Sequence, residues 1–342
     1  MKRAIGLRGS TTLALAILVM SAAFVSADQL SNFTTVSNTD FLMFGAGGMR
    51  GQGTGSIVVT GVSGTVTTAY LYWHGPTDDT GDANATVTFN GTSIVGTNIG
   101  NSAPNCWAFT NSKAYRANVT ALVTGNATYT LANFIKASPV ADINGVSLLI
   151  FFNDGNPANN RDVVIFNGND SNVANTFDTA GWSATLAGIN YASGTANMRL
   201  IVSDGQSFSD DALQVNGVTL LPSGAGNWQG NTVPDQGTAS GTNGGLWDHG
   251  SFDVTPLLSP GPNTLTIQPT TYVNDCLSLI AAVFDLPAGA APPTPTPSGG
   301  PVPTPTPSVP VPAAVVPTLH WEGFMALAAA LAIIGFWGLK SR

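Results

Sequence analysis

The sequence predicts an all-β protein made of two tandem antiparallel β-sandwich repeats of a jelly-roll-like kind. Short runs rich in Val, Ile, Thr, Tyr and Phe are separated by Gly, Asn and Pro, and Lys and Glu, common in exposed helices, are nearly absent from the body. The body also repeats itself once. We expect five regions: a signal peptide (1–27), the two repeats (28–157 and 158–286), a Pro/Thr-rich linker (287–315) and a C-terminal segment (316–342) with a transmembrane helix.

The N-terminus has the parts of a secretory signal peptide. Lys2, Arg3 and Arg8 precede an apolar run, and the small residues of 25–27 provide a cleavage site after Ala27. An uncleaved N-terminal anchor is the alternative. The signal peptide predicts export of the body.

Five segments of the first repeat recur in the same order in the second. They pair 56–75 with 183–205, the Asp-rich loop at 78–82 with that at 204–211, 87–94 with 213–220, 114–131 with 250–267, and 146–154 with 277–285. A sheet with one polar face must cover its other face, so each repeat most simply forms a sandwich of about six or seven strands. A single larger sandwich or barrel with pseudo-twofold symmetry is the alternative.

Several strands can be placed within each repeat. Asn-Gly at 90–91 and at 216–217 lies between alternating apolar residues, which predicts two tight hairpins. The closing runs, 146–154 and 277–285, are apolar on both faces and are expected to be central strands. Strands at 41–44 and 163–166 are expected to pair with the first and second repeat respectively.

The chain changes character after the second repeat. Residues 287–317 carry 12 of the 22 prolines and the repeated T-P-T-P, with no charged and no aromatic residue. Such a segment cannot pack a core and is expected to form an extended stalk.

Residues 316–342 combine a short motif, V-P-T-L-H-W-E-G, with a hydrophobic run and a basic end. The run from Trp321 to Leu339 is about 28 Å long as a helix, which is enough to enter a bilayer. The basic end, with Lys340 and Arg342, is expected to stay in the cytoplasm. We therefore expect contact with the bacterial membrane.

This tail resembles the C-terminal sorting signals of the bacterial exosortase class, most of all the subtype I-P-T-L-x-x-W-G. Pro317, Thr318 and Leu319 match this motif, Val316 is a mild replacement for its Ile, and Trp321 and Gly323 supply its Trp and Gly. Glu322 departs from the usual order, in which Trp directly precedes Gly. The resemblance implies an exosortase-type membrane protease as a partner, and a protein at the cell surface or outside the cell. An ordinary C-terminal membrane anchor is the alternative.

The body also resembles an uncharacterised β-rich domain of bacterial and archaeal surface proteins. The likeness is carried by the strand at 70–73 (Y-L-Y-W) and by the turns at 118–120 (N-V-T) and 253–255 (D-V-T). No activity is implied by it.

Composition excludes one class of partner. Between residues 28 and 286 the chain has 18 Asp, no Glu and six Lys or Arg, a net charge of −12. Because phosphate binding needs clustered Lys and Arg, nucleic acid is not expected to bind.

The two cysteines, Cys106 and Cys276, permit one disulfide in an exported chain. A bridge would tie the two halves of the sequence together. Two free or buried thiols are the alternative.

The Asp-rich loops are the densest clusters of titratable residues. Asp78, Asp79 and Asp82 lie in the first repeat, and Asp210 and Asp211 at the matching place in the second. Turn capping and solvation are the ordinary roles of such residues, whereas calcium binding is the functional hypothesis. The spacing is not that of an EF-hand loop. No other cofactor is indicated.

Catalytic signatures are lacking in the sequence. His74 at a strand end and His249 in a Gly-rich loop are interpreted as hydrogen-bonded loop histidines, and no G-x-S-x-G elbow accompanies them. The Gly-rich segment 44–55 lacks G-K-[ST] and is interpreted as a flexible connection between strands. We expect the protein not to be an enzyme.

Aromatic residues remain as possible binding groups. Trp107, Trp182, Trp228 and Trp247 lie in or beside loops, where they could anchor the loops or stack on sugar rings. The sequence as a whole predicts an exported structural or adhesive protein of the cell surface or extracellular matrix. The alternative is a carbohydrate-binding module or a polysaccharide-active enzyme, with a surface glycan as partner.

Overall fold

A computed structural model describes residues 29–136, 140–177, 181–237 and 244–290. The described residues form β-strands joined by loops, with two 3₁₀ turns at Thr120–Leu122 and Thr255–Leu257 and no α-helix. The prediction of an all-β protein is therefore confirmed. The predicted signal peptide, all but the first residues of the linker, and the sorting tail lie outside the described residues.

The strands are numbered in chain order. They are β1 (Ser31–Ala46), β2 (Gly55–Val59), β3 (Thr65–Thr77), β4 (Thr86–Phe89), β5 (Thr92–Val95), β6 (Thr97–Ser102), β7 (Asn111–Asn118), β8 (Ala127–Ala132), β9 (Gly145–Asn153), β10 (Arg161–Ser171), β11 (Trp182–Tyr191), β12 (Asn197–Ser203), β13 (Ser209–Asp210), β14 (Leu213–Val215), β15 (Val218–Leu221), β16 (Gly224–Ala225), β17 (Trp247–Asp253), β18 (Gly261–Thr270) and β19 (Ser278–Pro287). None of the described residues belongs to a helix that could span a bilayer.

Nine strands form one continuous sheet in the order β17-β12-β19-β10-β1-β9-β3-β7-β6. Strand β1 joins its two parts, because residues 31–39 pair with β10 and residues 40–46 pair with β9. The strands predicted at 41–44 and 163–166 pair as expected, with β9 and with β19. The pairing of β1 with β10 was not predicted, and it makes the first half (residues 29–157) continuous with the second half (158–290).

Two four-stranded sheets complete the layers. Their orders are β2-β8-β4-β5 in the first half and β11-β18-β14-β15 in the second half. Both contain the predicted hairpin, in which Asn and Gly have positive φ angles: 48° and 77° at Asn90 and Gly91, and 50° and 78° at Asn216 and Gly217. The same strand order thus occurs once in each half, in sandwich-like layers.

The closing runs β9 and β19 are central strands, as predicted. Each is buried on both faces, because each face meets a different layer. In β9, Leu148 and Ile150 point into the core of the first half, and the alternating Leu149 and Phe151 point into a third core that lies between the halves. Val283 of β19 joins this third core. Apolar packing therefore continues across the boundary between the halves.

Candidate functional site at the junction of the halves

A buried polar cluster lies where the two halves meet. We call it the junction cluster, and it consists of Arg50, His74, Trp107, Asn144, Ser203 and Asp204. Arg50, Trp107 and Asn144 come from loops of the first half, and Ser203 and Asp204 come from the end of β12 and the position after it. His74 lies within β3, paired on both sides, which corrects its interpretation as a loop residue at a strand end. Arg50 is supplied by the Gly-rich segment that the sequence suggested was flexible.

That Gly-rich segment is packed, which corrects the prediction of flexibility. Met49 is fully buried, and the backbone N–H of Gly48 donates to the carbonyl oxygen of Gly245 at 2.5 Å. A Cβ at Gly47 would lie 2.6 Å from the same carbonyl oxygen, so close backbone approach requires glycine there. The glycines therefore let two backbones touch, and this contact places Arg50 beside the second half.

Asp204 is the centre of the cluster and is fully buried. Its carboxylate accepts hydrogen bonds from Trp107 Nε1 at 2.9 and 2.8 Å and from Asn144 Nδ2 at 3.0 Å, and Arg50 Nη2 lies 3.4 Å from Oδ1. Burial raises the pKa of Asp204 to about 7, although the charge of Arg50 and the hydrogen bonds lower it. Asp204 also has a φ of 74°, a strained conformation for a residue with a side chain.

Arg50 lies over the indole ring of Trp107, with its guanidinium carbon 3.7 Å from the ring centroid. Its Nη2 also donates to Asn144 Oδ1. Burial lowers the pKa of Arg50, against the opposing effect of the Asp204 charge. Arg50 and Trp107 of the first half therefore contact each other and the same carboxylate, that of Asp204 in the second half.

His74 and Ser203 form a hydrogen bond across the junction, with 2.7 Å between Nδ1 and Oγ. Both side chains are fully buried, and burial lowers the pKa of His74 to about 3, helped by the positive charge of Arg50. The other ring nitrogen, Nε2, is buried without a hydrogen-bond partner. The hydrogen bond between His74 and Ser203 therefore joins the two halves. Because both side chains are fully buried, a substrate cannot reach them.

A second His–Ser pair crosses the junction in the opposite direction. His249 Nε2 and Ser147 Oγ are 2.7 Å apart, and Trp247 Nε1 donates to the same oxygen at 2.9 Å. Burial lowers the pKa of His249 to about 3. The sequence placed His249 in a loop, but it lies within β17, because the strand continues through the glycine that follows it.

The structure joins Cys106 and Cys276 in a disulfide, so the bond links a loop of the first half to the loop that precedes β19 in the second half. The neighbouring Asn105 reinforces this link, because its Oδ1 accepts hydrogen bonds from Ser171 Oγ at 3.3 Å and Ser278 Oγ at 3.1 Å. The disulfide thus lies directly beside Trp107 and fastens its loop.

In the Asp-rich loop of the first repeat, Asp79 caps a turn and Asp78 binds a neighbouring loop. Asp79 accepts hydrogen bonds from the backbone N–H groups of Gly81 and Ala83, both at 2.9 Å, and these bonds lower the pKa of Asp79. Asp78 Oδ1 accepts from the N–H of Thr110 at 2.8 Å. The backbone carbonyl of Asp82 accepts from the N–H of Ala85 at 2.9 Å. The carboxylates of Asp78 and Asp79 are thus occupied by backbone donors.

The two aspartates of the second repeat differ from each other. Asp210 is buried, and its Oδ2 accepts from the N–H of Trp228 at 3.1 Å; burial raises its pKa to about 7. Asp211 accepts from the N–H and hydroxyl of Thr271 at 3.2 and 2.9 Å. Over the described ranges, no three or more His, Cys, Asp or Glu side chains converge in a way that could hold a metal ion.

Two further buried acids, Asp248 and Asp275, were not predicted as site residues from the sequence. Burial raises the pKa of Asp275 to about 8, and the negative charges of Asp210 and Asp204 raise it further, although the N–H of Gln206 donates to it at 2.8 Å. Asp248 is fully buried and accepts from the N–H groups of the segment 230–232. Only the fold reveals their burial, since isolated Asp residues in Gly- and Asn-rich segments look like ordinary turn residues.

The tryptophans expected in loops are mostly structural. Trp182, Trp228 and Trp247 are at most 2% exposed, and Trp107 is half-buried against Arg50. The exposed aromatic side chains of the described residues are instead Phe177, Phe208 and Tyr272.

These features define an all-β protein with sandwich-like sheets whose halves are fixed to each other by a buried polar cluster and a disulfide. Residues 60–285 match the family described as Protein of unknown function (DUF3344), and the chain belongs to that family. This match agrees with the predicted likeness to an uncharacterised β-rich domain. No curated protein matches the sequence. The structure of PNGF-II in a C2 space group resembles this chain with a TM-score of 0.24 and 10% identity, over 69% of this chain and 59% of that protein.

Proposed function

We propose that this is an exported bacterial protein of the cell surface or extracellular matrix with a structural or adhesive role. In this proposal its body consists of two tandem sandwich repeats on a Pro/Thr stalk. The signal peptide and the tail motif of the sequence support export. The structural observation that carries the proposal is the disulfide between the halves, because such bonds persist in oxidising compartments outside the cytoplasm.

The junction supports a structural role more than a catalytic one. A continuous sheet, an apolar core, two His–Ser pairs and a disulfide all connect the same two halves. Domains that move during catalysis usually share a smaller and more polar interface. A body fixed in this way transmits force between its ends without opening, as an adhesive or matrix component requires.

The burial of three acids with raised pKa values also supports a structural rather than a catalytic role. A glycoside-hydrolysing alternative needs a carboxylic acid that reaches the substrate. Asp204, Asp210 and Asp275 are between 0 and 2% exposed. A recess beside Trp73 and Lys113 has essentially no volume that could hold even a water molecule, so a sugar ring cannot enter it. We therefore propose a non-enzymatic protein.

The proposed route to the surface uses the tail. An exosortase-type protease would act at the motif formed by residues 316–323 and leave the body outside the membrane. The test is mass spectrometry of the C-terminal peptide from surface, membrane and medium fractions of the native host. Loss of everything after the P-T-L motif supports processing. An intact Arg342 in the membrane fraction would instead make this a permanently anchored protein.

The role itself is tested with a deletion strain. We expect loss of the gene to reduce cell–cell or cell–surface attachment or matrix integrity, and the full chain to restore it. A chain that ends at residue 315 is the matched control, because it keeps the body and stalk but should be released into the medium. Normal attachment and matrix in the deletion strain would contradict the proposal.

A further inference from the structure

The exposed aromatic residues of the described ranges all lie on loops of the second half. Phe177 is 46% exposed, Phe208 38% and Tyr272 50%, whereas the other aromatic side chains of the described ranges are buried or half-buried. They lie on three loops that follow β10, β12 and β18 (residues 172–177, 204–208 and 271–277). Val273, beside Tyr272, is also 44% exposed. Exposed apolar groups that cluster usually mark a binding surface.

Direct hydrogen bonds hold these loops against one another. Asn172 Nδ2 donates to the carbonyl oxygen of Asp275 at 2.9 Å, and Asn172 Oδ1 accepts from the N–H of Leu277 at 2.8 Å. The N–H of Gln206 donates to Asp275 Oδ2 at 2.8 Å. Asp275 thus connects the loop after β12 to the loop after β18, and Asn172 connects the loop after β10 to the same segment. We call the surface formed by the three loops the aromatic loop face.

The first half fastens this face from the side. The disulfide ends at Cys276, within the loop that carries Tyr272. Asn175 Nδ2 donates to Ser102 Oγ at 3.3 Å, which ties the loop of Phe177 to the end of β6. Loops held in this way lose little conformational entropy when a ligand binds. More of the free energy of their contacts with the ligand therefore appears as affinity.

Apart from the half-buried Asp211, the exposed polar groups of the face are uncharged. Thr176, Ser207, Thr271 and Asn274 are exposed beside the aromatic residues. Residues 171–177, 204–212 and 271–277 contain no Lys or Arg. The nearby carboxylate of Asp275 is buried, and that of Asp211 accepts hydrogen bonds from Thr271. Hydroxyl and amide groups around flat apolar rings suit a ligand that has hydroxyl groups and apolar C–H faces and carries no charge.

We propose that the aromatic loop face binds neutral glycan, with pyranose rings stacked on Phe208 and Tyr272 and sugar hydroxyls bonded to the uncharged loop side chains. This inference rests on the proposed adhesive role and names its ligand class. An anionic glycan is disfavoured, because these loops present no cation to it.

The experiment is a screen of the full-length protein in detergent, displayed on beads for avidity, against an array of neutral and anionic glycans. Calorimetry then follows with the best soluble ligand. Phe208→Ala and Tyr272→Ala should each weaken binding about tenfold or more, and the double variant should abolish it, while Tyr272→Phe keeps most of the affinity because the ring remains. Val58→Ala and Val95→Ala are matched controls, since both residues are exposed (59% and 72%) but lie on the outer sheet of the first half.

Each outcome decides the inference. The side chains are exposed, so circular dichroism and melting temperature should be unchanged in the variants, which separates lost contacts from lost folding. Binding to no glycan, binding to anionic glycans alone, or equal affinity of the double variant would overturn the inference. So would preferential capture of lipid vesicles through these residues. A protein found at the surface by fractionation but unable to bind glycan would overturn this inference and leave the proposed localisation intact.

Discussion

The bond between Trp107 and Asp204 gives the sharpest test of the junction cluster. Trp107→Phe keeps an aromatic ring under the Arg50 guanidinium but removes the N–H that donates to both carboxylate oxygens at 2.9 and 2.8 Å. Because this donor lowers the pKa of Asp204, its removal raises that pKa further. The loss of stability should therefore grow as pH rises through the native pKa of about 7.

The expected magnitude follows from the charge of the acceptor. A hydrogen bond to a charged group contributes about 1.5–3 kcal/mol, and one between neutral groups about 1 kcal/mol. At pH 8.5 Asp204 is mostly ionised, and at pH 5.5 it is mostly protonated. The variant should thus lose roughly 1 kcal/mol more at pH 8.5 than at pH 5.5, or about 2–4 °C in melting temperature.

The assay is thermal and guanidinium unfolding of variant and parent at both pH values. Trp73→Phe is the control, because Trp73 Nε1 donates at 2.8 Å to the carbonyl oxygen of Asn84, which does not titrate. Both variants lose ring volume, so the volume cost cancels when the two pH values are compared. An equal loss for Trp107→Phe at pH 5.5 and 8.5 would refute the argument that an ionisable Asp204 is bound by the indole.

Three further predictions follow from the same contacts. Replacing Cys106 and Cys276 by Ser should lower the free energy of unfolding by about 5 kcal/mol, because the bridge closes a loop with a sequence separation of 170; an unchanged denaturation midpoint relative to the oxidised parent would contradict this. Raising the pH from 6.5 to 8.5 should destabilise the protein, because folded Asp204 and Asp275 release protons in this window that the unfolded chain has already lost. The two buried histidines are neutral when folded but about half protonated at pH 6.5 when unfolded, so they oppose only part of this loss. A flat stability profile would rule that out. EDTA should leave the melting temperature unchanged, and Asp79→Ala should lower it equally with and without calcium, because this carboxylate caps a turn; rescue by calcium would revive the metal hypothesis.

Local features of the sequence were sufficient for much of the fold. The hairpins at Asn90 and Asn216 follow from the positive φ angles that Asn and Gly tolerate, so two residues specify each turn. The central position of β9 and β19 follows from runs that are apolar on both faces. The repeated order of segments likewise anticipated the strand order that recurs in the two halves.

The candidate site was predicted only in fragments. His74, Trp107 and Cys106 were each noticed in the sequence, but nothing indicated that they lie around one junction. Asp204 was counted only as part of an Asp-rich loop, and Arg50 only as part of a Gly-rich segment. Their roles depend on partners more than 90 residues away in the chain, for which local patterns contain no signal.

The sequence alone determined that the chain forms strands, where its turns fall and which strands are central, because these properties depend on the preferences of neighbouring residues. Only the tertiary structure decided that β1 pairs with both β9 and β10 and thereby unites the halves. It also decided which acids are buried and which aromatic rings stay exposed. Burial depends on which distant layer covers a given face, and the alternation of side chains along a strand specifies two faces without saying what will cover each of them.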